Sequence, residues 1–401
     1  MRRNEEIRVY TVRFQCSHCK EVVTFEEGEP GQAISCPHCE YVLATPASRF
    51  AQGVVINDFV IQQKLAEGGM ATVYLAHQMS LDRPAALKIL RSDYAANENL
   101  KDELLREARA AARINHPGIV QAYAVGEEDG TYFFAMEYVE GTTLEEILAH
   151  SGRLVVERAL MIAQHIAEAL DFVWTNEQLV HRDIKPGNII LTRNGTTKLA
   201  DLGLAMHQSE ALKEQASAEA VGTPQYMAPE QFLGDEIDIR TDIYSLGGTL
   251  YHILTGNYPF TGDTPVDIAE KHVTTRLAPA HEVVPEIPEP VSDLIQIMMS
   301  KRAEHRYANP GELVQELKRV QEGRALQHAV IPGSQEPISD DGQHEQEAPP
   351  AAEPEEQADA QPQQKRKVVL PTSRAKQTSE DAGDDHRKFT LSAPAQQGTE
   401  E

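Results

Sequence analysis

Cysteine is nearly absent from this chain: of 401 residues four are cysteine, and none follows Cys39. A disulfide framework for the body of the protein is therefore excluded. Basic residues are short as well, with 37 Lys and Arg against 62 Asp and Glu and a formal net charge of -25. A chain with that balance is repelled as a whole by nucleic acid and by anionic membrane, and the charge favours solubility instead. No apolar run reaches the roughly 18 to 20 residues that span a bilayer. Met1-Arg2-Arg3-Asn4 leads into charged residues with no apolar h-region, so no secretory signal is read. The expectation is a soluble cytoplasmic protein, in which thiols stay reduced and paired cysteines mean metal more often than disulfide. There is no internal repeat.

What is present is a chain with 41% hydrophobic residues, long enough for two or three domains and one sizeable core. All four cysteines fall in the first 45 residues, as Cys16-x-x-Cys19 and Cys36-x-x-Cys39 with 16 residues between the pairs. Two such knuckles at this separation match four-thiolate zinc ligation, each turn aiming two sulfurs at one point. The flanking runs Ile7 to Phe14, Val22 to Phe25 and Tyr41 to Leu43 are β-prone, with a turn at Gly28, Pro30 and Gly31. Residues 1–45 thus resemble a zinc ribbon that draws most of its folding energy from the metal. His18 and His38 read as bystanders, and a redox dithiol is the competing reading. Acidic residues outnumber basic ones here, which favours a protein-interaction or regulatory module over nucleic-acid binding.

The central part of the chain is organised around His181-Arg182-Asp183-Ile184-Lys185-Pro186-Gly187-Asn188. Asp183 can accept a proton from a hydroxyl, Lys185 can neutralise a transferring phosphate, and Asn188 can hold a metal ion through its side-chain oxygen. The amphipathic run Glu157 to Asn176, apolar at Leu160, Ala163, Ile166, Ala167, Leu170 and Val173, predicts a long helix delivering the chain to this loop. After the loop, Ile189 to Leu191 and Thr197 to Leu199 predict a hairpin about Asn194-Gly195, ending at Asp201-Leu202-Gly203. Upstream stand Ala66-Glu67-Gly68-Gly69-Met70-Ala71-Thr72-Val73 and Ala85-Ala86-Leu87-Lys88-Ile89, then Arg106-Glu107-Ala108 in a run of helix formers. Downstream comes Gly222-Thr223-Pro224-Gln225-Tyr226-Met227-Ala228-Pro229-Glu230.

In this order the motifs resemble the protein kinase family, and their wording is similar to bacterial serine/threonine kinases of eukaryotic (Hanks) type. The resemblance covers about Asp58 to Glu322 and implies an α+β, bilobal fold: a β-rich N-lobe and a larger helical C-lobe. It implies that Asp183 is the base and Lys185 its companion. Lys88, paired with Glu107, would grip the ATP phosphates, while Asp201 and Asn188 would hold Mg²⁺ or Mn²⁺. ATP would lie under the loop Ala66, Glu67, Gly68, Gly69, Met70 and Ala71, against Val73 and Ala86. The backbone of Glu137 to Val139 would bind adenine behind Met136. Ala66 and Ala71 depart from the pattern, standing where the family carries the first and third glycines, and each restricts the lid. Asp242 would steady the catalytic loop and Arg306 would pair with Glu230. Ser217, and less so Ser209, are phosphosite candidates in the activation segment. The implied partners are proteins with serine or threonine acceptors, and a pseudokinase scaffold is the alternative raised by the two alanines.

The expected domain plan is a zinc ribbon at 1–45, a linker at 46–57, a kinase domain at 58–322 and a disordered acidic, low-complexity tail at 323–401. In that tail Lys365-Arg366-Lys367 precedes the apolar Val368-Val369-Leu370, a feature read as a solvated linker or a partner-docking segment.

Overall fold

The structure, a computed structural model, describes residues 12–25, 30–68, 71–91, 112–201, 206–207, 223–331 and 333–336, all within the compact unit Met1–Pro350. It opens with two short antiparallel hairpins: β1 (Val12–Gln15) on β2 (Val22–Phe25), and β3 (Ala33–Ser35) on β4 (Val42–Ala44). The two turn alike. Lys20 N–H donates to the Cys16 carbonyl at 3.0 Å and Glu40 N–H to that of Cys36 at 2.9 Å. Lys20 and Glu40 accordingly take left-handed φ values of 67° and 60°. That conformation costs an L-residue roughly 1–2 kcal/mol, which the hairpins must offset. The core here is small: Phe14, Val23 and Leu43 with Cys16 and Cys36 themselves.

A six-stranded antiparallel sheet follows, built from β5 (Val55–Ile56), β6 (Phe59–Glu67), β7 (Ala71–Gln78), β8 (Arg83–Leu90), β9 (Ala122–Glu128) and β10 (Thr131–Glu137), in the order β5-β6-β7-β8-β10-β9. Strand alternation sorts its residues onto two faces. Tyr74, Ala76, Ala85, Leu87, Ile89, Phe133 and Ala135 pack into one core on the back face. Val73, Lys88 and Phe134 are cross-strand partners in a row on the other face, with Ala86 opposite Met136 in the next row. Residues 46–57 are not a linker. Val54, Val55 and Ile56 are 4%, 3% and 5% exposed, β5 pairs with β6, and the Phe50 ring lies 6.0 Å from that of Tyr74. An apolar back face needs a cover, and this segment supplies it.

The second lobe is helical: β11 (Gly141–Thr143), α1 (Leu144–Ser151), α2 (Val156–Glu177), β12 (Leu179–Val180), β13 (Ile189–Thr192), β14 (Thr197–Leu199), β15 (Met206–His207), then α3 (Pro229–Leu233), α4 (Ile239–Thr255), α5 (Pro265–Thr274), α6 (Ala280–Val283), α7 (Glu289–Met298) and α8 (Pro310–Gln321). All six apolar positions that predicted α2 are buried. Five of them meet α4 and α8 in one core with Tyr244, Leu250, Leu294, Met298 and Leu317, while Val173 packs with Ile119, Phe134 and Leu179 in a second cluster.

The catalytic-lobe fold also runs further than expected. Beyond α8, Leu326 and Val330 pack on that core, and Ser334 and Gln335 are 3% and 6% exposed. Gln335 Nε2 donates to the carbonyls of Gln296 and Met299 at 2.9 and 3.1 Å, and Lys301 N–H donates to the Ser334 carbonyl at 2.8 Å. A polar side chain is thus drawn inward by carbonyls at the end of α7 that lack intrahelical partners. The expected edge at 322 moves to at least Glu336; the rest of the tail lies outside the described residues.

Candidate active site

The loop His181–Asn188 is held from beneath by one buried carboxylate. Asp242, on α4 and fully buried, accepts the backbone N–H of His181 at 2.7 Å and that of Arg182 at 2.8 Å. Two directed acceptors stabilise Arg182 in a left-handed conformation, φ 69°, that a loop arginine does not take for free. Burial pushes the Asp242 carboxyl above the usual range, while His181 and the two N–H groups work the other way. His181 turns inward, with Nδ1 receiving Asp183 N–H at 3.3 Å and Nε2 lying 3.2 Å from the Ala200 carbonyl. The loop is thereby tied to the strand end before Asp201.

Asp183 stands at the top of this frame. Its Oδ2 accepts Lys185 Nζ at 2.7 Å and Asn188 Nδ2 at 2.9 Å, and the same Asn188 nitrogen reaches the Asp183 carbonyl at 2.8 Å. With its amide nitrogen spent on Asp183, Asn188 has its side-chain oxygen left for another partner. The expected hairpin forms, Ile189 opposite Leu199 and Leu191 opposite Thr197, and delivers Asp201 beside the loop. There Lys88, from β8 of the sheet, donates to Asp201 Oδ1 at 2.7 Å. Burial opposes ionisation of Asp201, but the Lys88 ammonium outweighs it, helped by His181 and Lys185, and holds the carboxyl below the usual range. Asp201 nonetheless keeps its side chain 43% exposed. It too is left-handed, φ 58°. One carboxylate is thus poised at a lysine–asparagine pair, and a second beside the same loop is held charged by a lysine from the sheet.

The family model of the protein kinase domain matches residues 59–318. The chain belongs to the protein kinase family. Its curated relatives include a probable serine/threonine-protein kinase of Clostridium acetobutylicum, 38% identical over 267 residues, which are 67% of this chain and 40% of the relative. The serine/threonine-protein kinase PrkC of Bacillus subtilis is 38% identical over 260 residues, 65% of this chain and 40% of PrkC. The chain thus spans about two fifths of the length of these relatives. Among solved structures, the kinase domain of Mycobacterium tuberculosis PknI superposes with a TM-score of 0.54 at 27% identity, covering 67% of this chain and 98% of PknI's domain. None of these matches extends to the whole chain.

Of the kinase residues expected from the sequence, Glu107, Gly69, Met70, Ser209 and Ser217 lie outside the described residues. Ala66 and Val73 are cross-strand partners in the lid hairpin, and Gly68 N–H donates to the Ala71 carbonyl at 2.9 Å. Glu137 carries an unforeseen contact: Lys198 Nζ reaches its Oε2 at 2.9 Å, joining the interlobe strand β10 to β14, which ends two residues before Asp201. Gln231 was likewise not singled out. It donates to the Arg182 carbonyl at 3.3 Å and accepts Ala228 N–H at 2.9 Å. A polar residue on a surface-like helix or strand carries no sequence mark of such a contact. Glu230 and Arg306 do meet, through two guanidinium bonds of 2.7 and 2.9 Å. Burial raises the Glu230 carboxyl, but Arg306 prevails and holds it low.

Apart from the cleft, the four cysteines converge. Their sulfurs all lie within 4.8 Å of one another, with Cys16–Cys39 and Cys19–Cys36 both at 3.8 Å. A disulfide needs about 2.0 Å, whereas sulfurs about 2.3 Å from a tetrahedral zinc stand about 3.8 Å apart. Burial disfavours the Cys16 thiolate, but backbone hydrogen bonds from Cys19 and His18 and the adjacent thiols bring its pKa down to about 6. Cys19 has a backbone hydrogen bond from Glu21 that favours its thiolate, yet burial and the other thiols push it up to about 12. Without a cation, the cluster cannot ionise evenly. His18 stacks on Tyr41 at 5.1 Å instead of joining the sulfurs.

Proposed function

We propose that this chain is an ATP-dependent serine/threonine protein kinase, on the strength of one observation above the others: Asp183 Oδ2 is shared by Lys185 and Asn188 while Asp201 is paired with Lys88. Asp183 orients the acceptor hydroxyl and takes its proton as the oxygen attacks the γ-phosphate in line. Lys185, already at hydrogen-bond distance from Asp183, neutralises the transferring group. Lys88 positions the phosphates, with Glu107 as its partner on the family pattern. Ala66, Glu67 and Gly68, with Gly69, Met70 and Ala71, close over the nucleotide. Val73 and Ala86 form its roof, and Glu137 and Val139 offer backbone groups to adenine. Oxygen donors at Asp201 and Asn188 suit Mg²⁺ or Mn²⁺, which when bound would supply charge neutralisation at the phosphate oxygens. Positioning and fixed charge carry most of such catalysis.

The substrates are proteins with serine or threonine acceptors, and Ser217 and Ser209 are autophosphorylation sites. The cysteine cluster holds a structural Zn²⁺, a fit that the sulfur spacing supports. Four thiolates kept for a metal suit the reducing cytoplasm. Among the described residues no helix is long and apolar enough to cross a membrane. Incubation with labelled ATP and Mg²⁺ followed by phosphosite mapping tests the reading. Phosphoserine or phosphothreonine is expected in the intact chain, with about a 10²- to 10⁴-fold loss in Asp183→Asn at unchanged melting temperature. An equally active variant would sink the assignment.

A further inference from the structure

The cysteine hairpins are built onto the nucleotide-binding sheet. Phe14 of β1 bridges Val54, and Gln15, next to the ligand Cys16, donates its N–H to the Gly53 carbonyl at 2.9 Å. Gly53 N–H in turn donates to the Ile61 carbonyl at 2.7 Å, and Ile61 N–H to the Val54 carbonyl at 2.8 Å. Ile61 belongs to β6, the strand that ends at Glu67 and enters the lid. Gly53 has φ 88° with open space around it, so glycine is needed there for conformation and not for room. Two hydrogen bonds therefore link Gln15, the neighbour of Cys16, to Ile61, five residues before Ala66 on the strand that enters the lid.

A second contact lies at the far edge of the same sheet. Arg13 NH1 binds Glu128 Oε1 at 2.5 Å, and the other oxygen of Glu128 accepts the N–H of Asn57. Arg49 donates to the Asp129 carbonyl at 3.1 Å. Val12 packs both in the hairpin core and against the back-face core of the sheet. The space left at this junction, lined by Val12, Arg13, Phe50 and Ile56 among others, is about 30 Å³. That is room for only a few waters, so the two surfaces meet closely.

We propose that the cysteine module is a brace of the ATP-binding lobe, so that metal occupancy of the four cysteines and affinity for ATP are coupled. This rests on the four-thiolate zinc reading. The hairpins are the two-state element: ribbon-sized units fold with metal and unfold without it. Unfolding β1 withdraws Gln15 from Gly53 and Arg13 from Glu128, and so frees β6 and the β9–β10 turn. Coupling is reciprocal, so bound nucleotide must tighten zinc binding by the factor by which zinc strengthens nucleotide binding.

The test uses the full chain, purified without chelator, with zinc content, affinity for a non-hydrolysable ATP analogue in excess Mg²⁺, and amide exchange measured before and after a zinc-selective chelator. Affinity should fall about fivefold or more and return on adding zinc, with Gly53 and Ile61 amides losing protection. Arg13→Ala and, independently, Glu128→Gln should keep one zinc while the ratio of metal-loaded to metal-free affinity shrinks towards one. A zinc-loaded chain whose ribbon unfolds on chelation with analogue affinity and Gly53 and Ile61 protection unchanged overturns the coupling alone. A chain that binds no zinc overturns the four-thiolate reading and this inference with it.

Discussion

The cysteine module and the catalytic loop both crowd ionisable side chains into a few residues, and they do so by opposite means. In the C-lobe a large core is already in place, and the loop is fixed by a buried carboxylate, Asp242, whose oxygens are filled by backbone N–H groups. In the cysteine module the core is so small that two of the four clustered cysteines, Cys16 and Cys36, are part of it. A large core can bear the desolvation of a paired charge, whereas a small unit has no such reserve and relies on a metal.

Zinc removal should break this comparison most sharply. The ribbon loses a metal contribution on the order of 10 kcal/mol, read as loss of exchange protection in β1 to β4, while the C-lobe transition in calorimetry stays where it was. Arg306→Met should do the reverse. It strips Glu230 of a partner held in two bonds and leaves that carboxylate buried, costing about 3–5 kcal/mol in denaturant unfolding, with zinc stoichiometry intact.

Acid sharpens the contrast further. His272, buried against Phe260 and bonded through Nδ1 to Tyr244 at 2.8 Å, has its pKa lowered from 6.5 to about 3, chiefly by burial and secondarily by Lys301. The unfolded chain therefore binds the proton first. The His272 contribution to C-lobe stability should be flat above pH 6.5 and fall below it by at most about 1.4 kcal/mol per pH unit until about pH 3. His272→Gln should flatten that slope, whereas acid release of zinc from the ribbon should be the same in both. The smallest effect is expected at Thr143, which caps α1 by accepting Glu146 N–H at 3.2 Å while Glu146 accepts Thr143 N–H at 2.9 Å. Thr143→Ala should cost about 1 kcal/mol by thermal melting and leave both the ribbon and metal content untouched.

Much of the site was legible because its chemistry is local. Asp183, Lys185 and Asn188 lie within six positions, and one short turn brings them into mutual contact. The CxxC pairs are local in the same way. The edges of the fold were less legible. Residues 46–57 read as a linker because the back face they cover is assembled from β6, β7, β8 and β10 and exists only after folding. The stretch to Glu336 was lost in an acidic tail because Gln335 looks like any surface glutamine until the end of α7 offers it carbonyls. Lys198 and Gln231 escaped for the same reason.

By itself the sequence determined which residues could do chemistry, through spacings short enough for one turn to convert into contact, and it determined the kinase order of the motifs. Only the tertiary structure decided that the cysteine module is seated on the nucleotide lobe through Gln15, Gly53 and Arg13. Contacts between residues 38 to 115 positions apart depend on how separately folded surfaces meet, and no local pattern of residue types encodes that meeting.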